Sequence, residues 1–410
     1  MNFDKNLRVN STRLATRIAA LTEAGSTRLA FTPEDRKGRQ CVIEMMEQAG
    51  LDVKIDAATN IIGRREGSKV EKPAILTGSH IDTVPGGGSY DGALGVLASI
   101  ECLETLNDQR IETRHSIEAI AFANEEGQSF TGLMGSKAMV GALSFDTLKN
   151  TDVSGRTLAE ALDQFGGDSD NLSKSIKKSS EIRAYLELHV EQGGILERSS
   201  RQIGIVEGIV GIRYIDVIFK GTPNHAGTTP MELRQDALVA ASRFILEVDE
   251  SIRTNQFSRV GTVGALSVTP NARNIIPGEV HLTTGIRDLD MKVLDRTIDH
   301  LSQCADRISR ASGVQIKIIQ RETITPAIAD PALMEVLKSV MPPLDLTSRI
   351  MPSGAGHDAQ MMSRIAPMCM IFVPSAGGIS HSTYEFTSPE DCANGANVLL
   401  HAILEIEHGD

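Results

Sequence analysis

No apolar run in this 410-residue chain approaches the roughly 18 consecutive residues that a membrane-spanning helix requires; the longest are short, such as Met368 to Val373. The opening MNFDKNLRVN has no apolar stretch of the kind a secretory signal carries, so none is expected. Cysteine is scarce and scattered. Cys41, Cys102, Cys304, Cys369 and Cys392 are odd in number, and no CxxC pair occurs. A disulfide framework is therefore not expected, and the five read as reduced thiols of a cytoplasmic protein, mostly core filler. Basic residues are outnumbered, with 41 Lys and Arg against 53 Asp and Glu and a net charge of −12. That balance argues against a nucleic-acid partner, which needs clustered cations, but leaves room for a local basic pocket holding a small anion. Internal repeats and low-complexity tracts are absent. What remains is ordinary globular composition, 41% hydrophobic and 23% charged, in a chain long enough for two or three domains.

Helical and strand signals alternate in the first part. A helical period runs through Leu7, Leu14, Ile18 and Leu21; apolar strands follow at 74–77 and 117–123, with a helix from near Asp91 between them. Such alternation predicts an α/β domain with a mostly parallel central sheet. Residues 147–181 are polar and predict a helix or two among loops, after which 184–190 returns to strand character. From 212 to 325 the order is strand, helix, strand, strand, helix, strand, which is the ferredoxin-like βαββαβ arrangement. The α/β pattern resumes after Pro326. The expected domains are thus 1–211 with 326–410, interrupted by 212–325, with hinges near Gly211 and Thr325-Pro326.

Short polar motifs follow directly on the apolar strands: Ser79-His80-Ile81-Asp82, Asn124-Glu125-Glu126-Gly127, His189-Val190-Glu191-Gln192, and His381 after 368–373. A further one, Gly88-Ser89-Tyr90-Asp91-Gly92, opens a helix. Open α/β sheets bind ligands beyond the carboxyl ends of their strands, so these motifs are expected to converge. Imidazole and carboxylate together suit Zn²⁺ and related divalent ions, and the lack of cysteine in the set excludes a structural Cys-type zinc site. Glu125 and Glu126 would repel each other at a dry strand end unless cations compensate. Neighbours on an extended strand point to opposite faces, so the strand must end there for both to serve one site. Taken singly, each motif reads as readily as a structural histidine, a solvated acidic pair or a glycine loop; together they predict a metal centre.

The motifs GSHIDTV, GGSYDGALGV, NEEG, ELHVEQG, NHAGTTPM, NIIPG, SGAGHDAQ and GISHSTYEFTS occur in that order between about residues 60 and 395. Together they resemble the M20 metallopeptidase family, and within it the amidohydrolase branch of N-carbamoyl-L-amino acid hydrolases, allantoate amidohydrolases and ureidopropionases. The resemblance implies a dinuclear catalytic domain, an inserted lid and dimerisation domain, a homodimer, and two divalent ions per subunit (Zn, Mn, Co or Ni). It assigns His80 and His189 to one metal, Glu126 and His381 to the other, and Asp91 as the bridge. Asp82 would orient His80, and Glu125 would be the general base. His225, in NHAGTTPM, would stabilise the oxyanion from the partner subunit. Arg287 and Asn274 would bind the substrate carboxylate and Gln192 its ureido part, with Gly354, Gly356 and His357 lining the pocket. One departure stands out: the branch reads EEG-x-R-F, whereas here Gln128 and Ser129 precede Phe130.

The chemistry implied is hydrolysis of a ureido C–N bond. Glu125 would take a proton from water and pass it to the departing nitrogen, with closure of the inserted domain completing the site. FANEEG and YDGALGVLA resemble the carbamoylases more than the allantoate enzymes. An N-carbamoyl-L-amino acid is accordingly the expected substrate, allantoate the second and a β-ureido acid the third. An M20 dipeptidase fits less well, because ELHVEQG and NHAGTTPM resemble the ureido-cleaving branch. A catalytically silent metal-binding protein is the alternative from another class, and intact Glu125 stands against it.

Overall fold

The structure, a computed structural model, describes residues 6–254 and 257–408. Its strands in chain order are β1 (Asp52–Ile55), β2 (Ile61–Arg65), β3 (Ala74–His80), β4 (Ile117–Phe122), β5 (Ile182–Val190), β6 (Ile203–Ile209), β7 (Gly211–Lys220), β8 (Val260–Thr269), β9 (Glu279–Asp288), β10 (Gln315–Ile324), β11 (Ala327–Ile328), β12 (Ser348–Ser353) and β13 (Met368–Val373). The chain divides into two compact units. One runs through Gly208 and resumes at Ile328; the other spans Ile209–Ala327. The expected cuts were after 211 and after 325. Gly211 is instead the first residue of β7 and pairs with Asp288, so its strand begins inside the second unit.

The first unit is built on a mixed sheet of order β1-β2-β4-β3-β5-β13-β6-β11, with β12 paired to β6. In its middle, β4, β3, β5 and β13 pair in parallel. The flanking pairs β1–β2, β2–β4 and β13–β6 are antiparallel. The middle strands are continuous apolar runs because both faces are covered: every residue of β3, β4 and β13 is buried. Helices Ala93–Asp108 and Pro389–His408 supply much of that cover, with Leu94, Leu97, Leu399 and Ile403 fully buried in the same core. Helix starts follow local chemistry. Thr32 accepts from Asp35 N and Pro33 opens the helix Pro33–Gln48, while Asn10 caps Ser11–Glu23 by accepting from Arg13 N. The polar 150s to 170s form one short helix, Leu158–Gln164, and 3₁₀ turns.

The second unit is a four-stranded antiparallel sheet of order β10-β7-β9-β8 carrying helices Ala237–Arg253 and Met291–Ser312. Both helices have aspartate caps, Asp236 and Asp290. Phe244, Val248, Leu294 and Leu301 from the helices pack into one core with Ile215, Val217, Phe219 and Val280 from the sheet. Full burial of a side chain the size of Phe244 is worth about 2–3 kcal/mol. No helix among the described residues is long and apolar enough to cross a membrane.

Candidate metal centre

Four parallel strands deliver the candidate donors to one crest. His80 is the last residue of β3, and His189 lies near the end of β5. Glu125 and Glu126 follow β4, and His381 follows β13. β4 stops at Phe122 and Asn124 turns the chain with a left-handed φ of 53°. That turn is what allows two consecutive glutamates to face one site. Asp91 sits just before helix Ala93–Asp108, next to Gly92 at φ 64°.

Two overlapping donor groups result. His80, Asp91 and His189 form one, and Asp91, Glu126 and His381 the other; within each, the donor atoms lie within 4.8 Å of one another. Asp91 Oδ1 stands 3.2 Å from His189 Nε2 and 3.7 Å from His80 Nε2. Its Oδ2 stands 3.2 Å from His381 Nε2, which is 3.6 Å from Glu126 Oε1. The ring nitrogens not used here are committed elsewhere. His80 Nδ1 donates to Asp82 O at 2.9 Å, and His189 Nδ1 donates to Val190 O at 2.9 Å. In the neutral ring each Nε2 is then the unprotonated nitrogen, which is the form that ligates a metal. Three imidazoles and two carboxylates, with Asp91 shared between the groups, are crowded and mostly buried, and fit a pair of divalent cations by donor chemistry.

The electrostatics carry the same message. Burial and the charges of Asp358, Glu126 and Asp82 hold the Glu125 carboxyl well above the usual carboxylate range. Burial also raises Glu126, against the pull of His80 and His381. Burial works to raise Asp91, yet its bonds to His189 and His381 hold it well below the usual range. For His189, burial disfavours the cation, but Asp91 and Glu187 outweigh it and lift the imidazole to about 9. The site demands positive charge.

Asp82 touches both His80 and the glutamate turn. Its carboxylate Oδ1 is 3.8 Å from His80 Nδ1, while its main-chain oxygen takes the ring's hydrogen bond. The carboxylate also accepts from Glu125 N and Glu126 N, both at 3.1 Å, and so holds the glutamate turn. Gln192, at φ 57°, donates from Nε2 to Asp91 Oδ2 at 2.8 Å, and its buried Oε1 has no partner among the described residues. A cavity of about 220 Å³ opens here, walled by both donor groups, Glu125, Gln192 and the Ala355–His357 turn. His357 is buried, 2.8 Å from Ser353 Oγ and edge-on to His189, whereas Gly354 and Gly356 are exposed on the same turn. Where the branch motif carries arginine, Ser129 Oγ bonds Ala30 O at 3.2 Å.

Two supporting residues were not singled out from the sequence. Glu385 accepts from Tyr90 N at 2.9 Å and Asp91 N at 3.1 Å, fixing the Asp91 loop across 294 residues of chain. Its carboxylate lies 2.0 Å from where a Cβ on Gly88 would be, which explains the glycine. Arg28, fully buried, donates Nε to Ile81 O at 2.9 Å beneath the His80–Asp82 segment. The signal for Glu385 was present in GISHSTYEFTS, but its target was not.

The remaining candidates lie in the second unit. His225 and Ile275 form a bridge, and Ala226 N bonds Asn274 O at 3.0 Å, so NHAGTTPM and NIIPG are brought together. His225 is exposed, and its Nδ1 accepts from Gly227 N at 3.0 Å and Thr228 N at 3.2 Å. Its Nε2 therefore carries the proton and is a donor. Arg287 is elsewhere. It pairs with Ile212 at the far end of β9, whereas Asn274 precedes the Glu279 end that pairs with Lys220. Eight residues of strand separate positions 279 and 287, a span of about 26 Å. Within one chain Asn274 and Arg287 are therefore far apart.

Comparison with known proteins agrees with this architecture. Residues 76–405 match Peptidase family M20/M25/M40. The chain is 38% identical to an N-carbamoyl-L-amino acid amidohydrolase of Geobacillus stearothermophilus, over 98% of this chain and 100% of that one. It is 36% identical to an allantoate amidohydrolase of Bacillus subtilis, over 95% and 94% respectively. The crystal structure of an amidase of the hydantoinase/carbamoylase family from Burkholderia multivorans superimposes with a TM-score of 0.92 at 35% identity, covering 98% of this chain and 99% of that one. The chain belongs to the M20/M25/M40 peptidase family, in its hydantoinase/carbamoylase amidohydrolase branch.

Proposed function

We propose that this chain hydrolyses the ureido C–N bond of an N-carbamoyl-L-amino acid, consuming one water and releasing the amino acid, ammonia and carbon dioxide. The reading rests on the two donor groups that share Asp91, with Glu125 on the same turn as Glu126. When bound, a pair of divalent ions supplies the Lewis acidity that polarises the ureido carbonyl and brings the pKa of water toward neutrality. Glu125 Oε2 is 3.7 Å from His80 Nε2 and forms a further donor group with His80 and Glu126, beside the two centred on Asp91; its raised carboxyl, at the rim of that pair, is the group assigned to the proton. It takes the proton of the attacking water and returns it to the leaving nitrogen. Gln192 holds Asp91 with its amide nitrogen and offers its Oε1 to a ureido N–H.

His225, as an Nε2–H donor, stabilises the oxyanion formed at the carbonyl carbon. Arg287 takes the substrate carboxylate in a bidentate grip. Since Asn274 stands with His225 and far from Arg287 on one chain, the proposal has the partner subunit of a homodimer supply His225 and Asn274 together. Allantoate presents the same ureido group and carboxylate. The 36% identity to an allantoate amidohydrolase supports it as a second reading.

The test is ammonia release from purified protein supplied with Zn²⁺, Mn²⁺, Co²⁺ or Ni²⁺. The panel holds N-carbamoyl amino acids of both chiralities, allantoate, 3-ureidopropionate and a dipeptide. Turnover of the L-carbamoyl compounds above the others is the expected result. Preference for allantoate replaces the substrate, and cleavage of the dipeptide alone overturns the class.

A further inference from the structure

The inserted unit contains a donor cluster that the ureido chemistry does not use. His300 and Cys304 lie one turn apart on helix Met291–Ser312, and Glu247 faces them from helix Ala237–Arg253. Cys304 Sγ is 3.2 Å from Glu247 Oε2 and 3.4 Å from His300 Nε2. All the donor atoms lie within 4.8 Å of one another. Around a tetrahedral zinc, bonds of about 2.3 Å to sulfur and 2.0–2.1 Å to nitrogen or oxygen set the sulfur roughly 3.5 Å from either. The separations here are already close to that. The thiol itself is fully buried, while His300 and Glu247 are partly open to solvent, which gives an ion a way in. Phe257 stacks on His300 with centroids 4.3 Å apart and planes at 25°, fixing the ring's orientation.

A cation already stands at the mouth of the cluster. Arg307 Nη2 is 3.1 Å from Cys304 Sγ and 3.4 Å from Glu247 Oε2, on a side chain 52% exposed and able to swing into water. We propose that Glu247, His300 and Cys304 form a binding site for a borderline-soft divalent ion of the zinc class, entered by displacing the Arg307 guanidinium. Thiolate, imidazole and carboxylate are the donors such ions take, with a water completing four-coordination. Burial and Glu247 push the Cys304 thiol up to about 11. The free site therefore holds a neutral thiol at pH 7. On binding, the S–H bond breaks, a sulfur–metal bond forms and the proton leaves to solvent, so affinity falls as pH is lowered.

Sulfur separates this site from the one around Asp91, whose donors are all nitrogen and oxygen. The experiment is a Co²⁺ titration of the full chain, freed of metal beforehand and followed in the near ultraviolet, where thiolate-to-cobalt charge transfer absorbs. The expected result is a charge-transfer band that is lost in Cys304→Ser, retained in Cys41→Ser, and reached at lower Co²⁺ in Arg307→Gln. Ammonia release by the Zn²⁺-loaded Cys304→Ser protein should equal that of the parent, since none of these residues is placed in the catalytic machinery. If Cys304→Ser does not fold, His300→Gln and Glu247→Gln must each shift the titration midpoint upward by tenfold or more. No band at saturating Co²⁺, a band that survives Cys304→Ser, or midpoints unmoved in His300→Gln and Glu247→Gln would each overturn the proposal.

Discussion

Replacing Gly92 by alanine tests how tightly the backbone cradles His80. Gly92 has φ 64°, and a Cβ built on it falls 2.4 Å from His80 Nε2 and 2.5 Å from both neighbouring ring carbons. Ordinary contact begins at 3.4 Å, so the ring must retreat by 3.4 − 2.4 = 1.0 Å. It cannot do so freely, because Nδ1 is held by Asp82 O at 2.9 Å and the residue is buried at the end of β3. Two costs follow. At φ 64° and ψ −49° the backbone lies in a sparsely populated region that costs an alanine about 1–3 kcal/mol, which lowers stability by that amount. A shift of about 1 Å in a catalytic group typically costs 10²-fold in rate, and metal affinity should fall about as far as when a ligand's orienting partner is lost, some 10–100-fold. The assays are metal retained against a graded chelator series, ammonia release at saturating metal, and the thermal midpoint. A Gly92→Ala protein that holds its metals and turns over like the parent would refute the geometry on which the site is built.

Glu125→Gln should lower kcat by at least about 10²-fold while leaving metal content unchanged, because the amide cannot accept a proton and Glu125 lies outside both Asp91-centred groups; near-parental turnover removes the base assignment. Arg287→Gln should raise KM for a carbamoyl amino acid by about 10–100-fold with a smaller effect on kcat, the loss expected when a charged hydrogen-bonded pair is broken; steady-state kinetics with an unchanged KM would deny Arg287 the carboxylate. Asp35 is buried, accepts from Phe31 N at 2.8 Å, and is raised to about 6 by burial against the pull of Arg39. A folded-state value above the unfolded 3.8 means that the folded state keeps the proton, so Asp35 stabilises fully below about pH 4 and loses that contribution as pH rises through 6. Chemical unfolding should therefore show the parent losing up to about 3 kcal/mol relative to Asp35→Asn between pH 4 and pH 7; a difference that grows in the opposite direction contradicts the shift.

Much of the crest was legible because its signals are local. An apolar strand followed by His-x-Asp or Glu-Glu can be read without knowing what lies beside it, and the parallel order of β4, β3, β5 and β13 then brings the strand ends together. The inserted unit was legible for the same reason, since helical and strand periods alternate cleanly from 212 to 325. What escaped depends on long-range register. Glu385 serves a loop 294 residues away, and no periodicity announces that its carboxylate caps Tyr90 N and Asp91 N. Asp82, which the resemblance assigns to His80, also turns its carboxylate onto the backbone of Glu125 and Glu126, a contact that no local signal announces. Asn274 and Arg287 are 13 positions apart in sequence, and only the β7–β9 pairing shows that Arg287 stands at the end of β9 away from Asn274. Cys304 read as core filler because its partners on the second helix, Glu247 above all, are not visible from a scattered cysteine.

The most direct measurement is anomalous diffraction from crystals of the full chain loaded with Zn²⁺. The account predicts paired peaks flanking Asp91, one among His80, Asp91 and His189 and the other among Asp91, Glu126 and His381. A map with no density at Asp91 in fully loaded, active protein would contradict it.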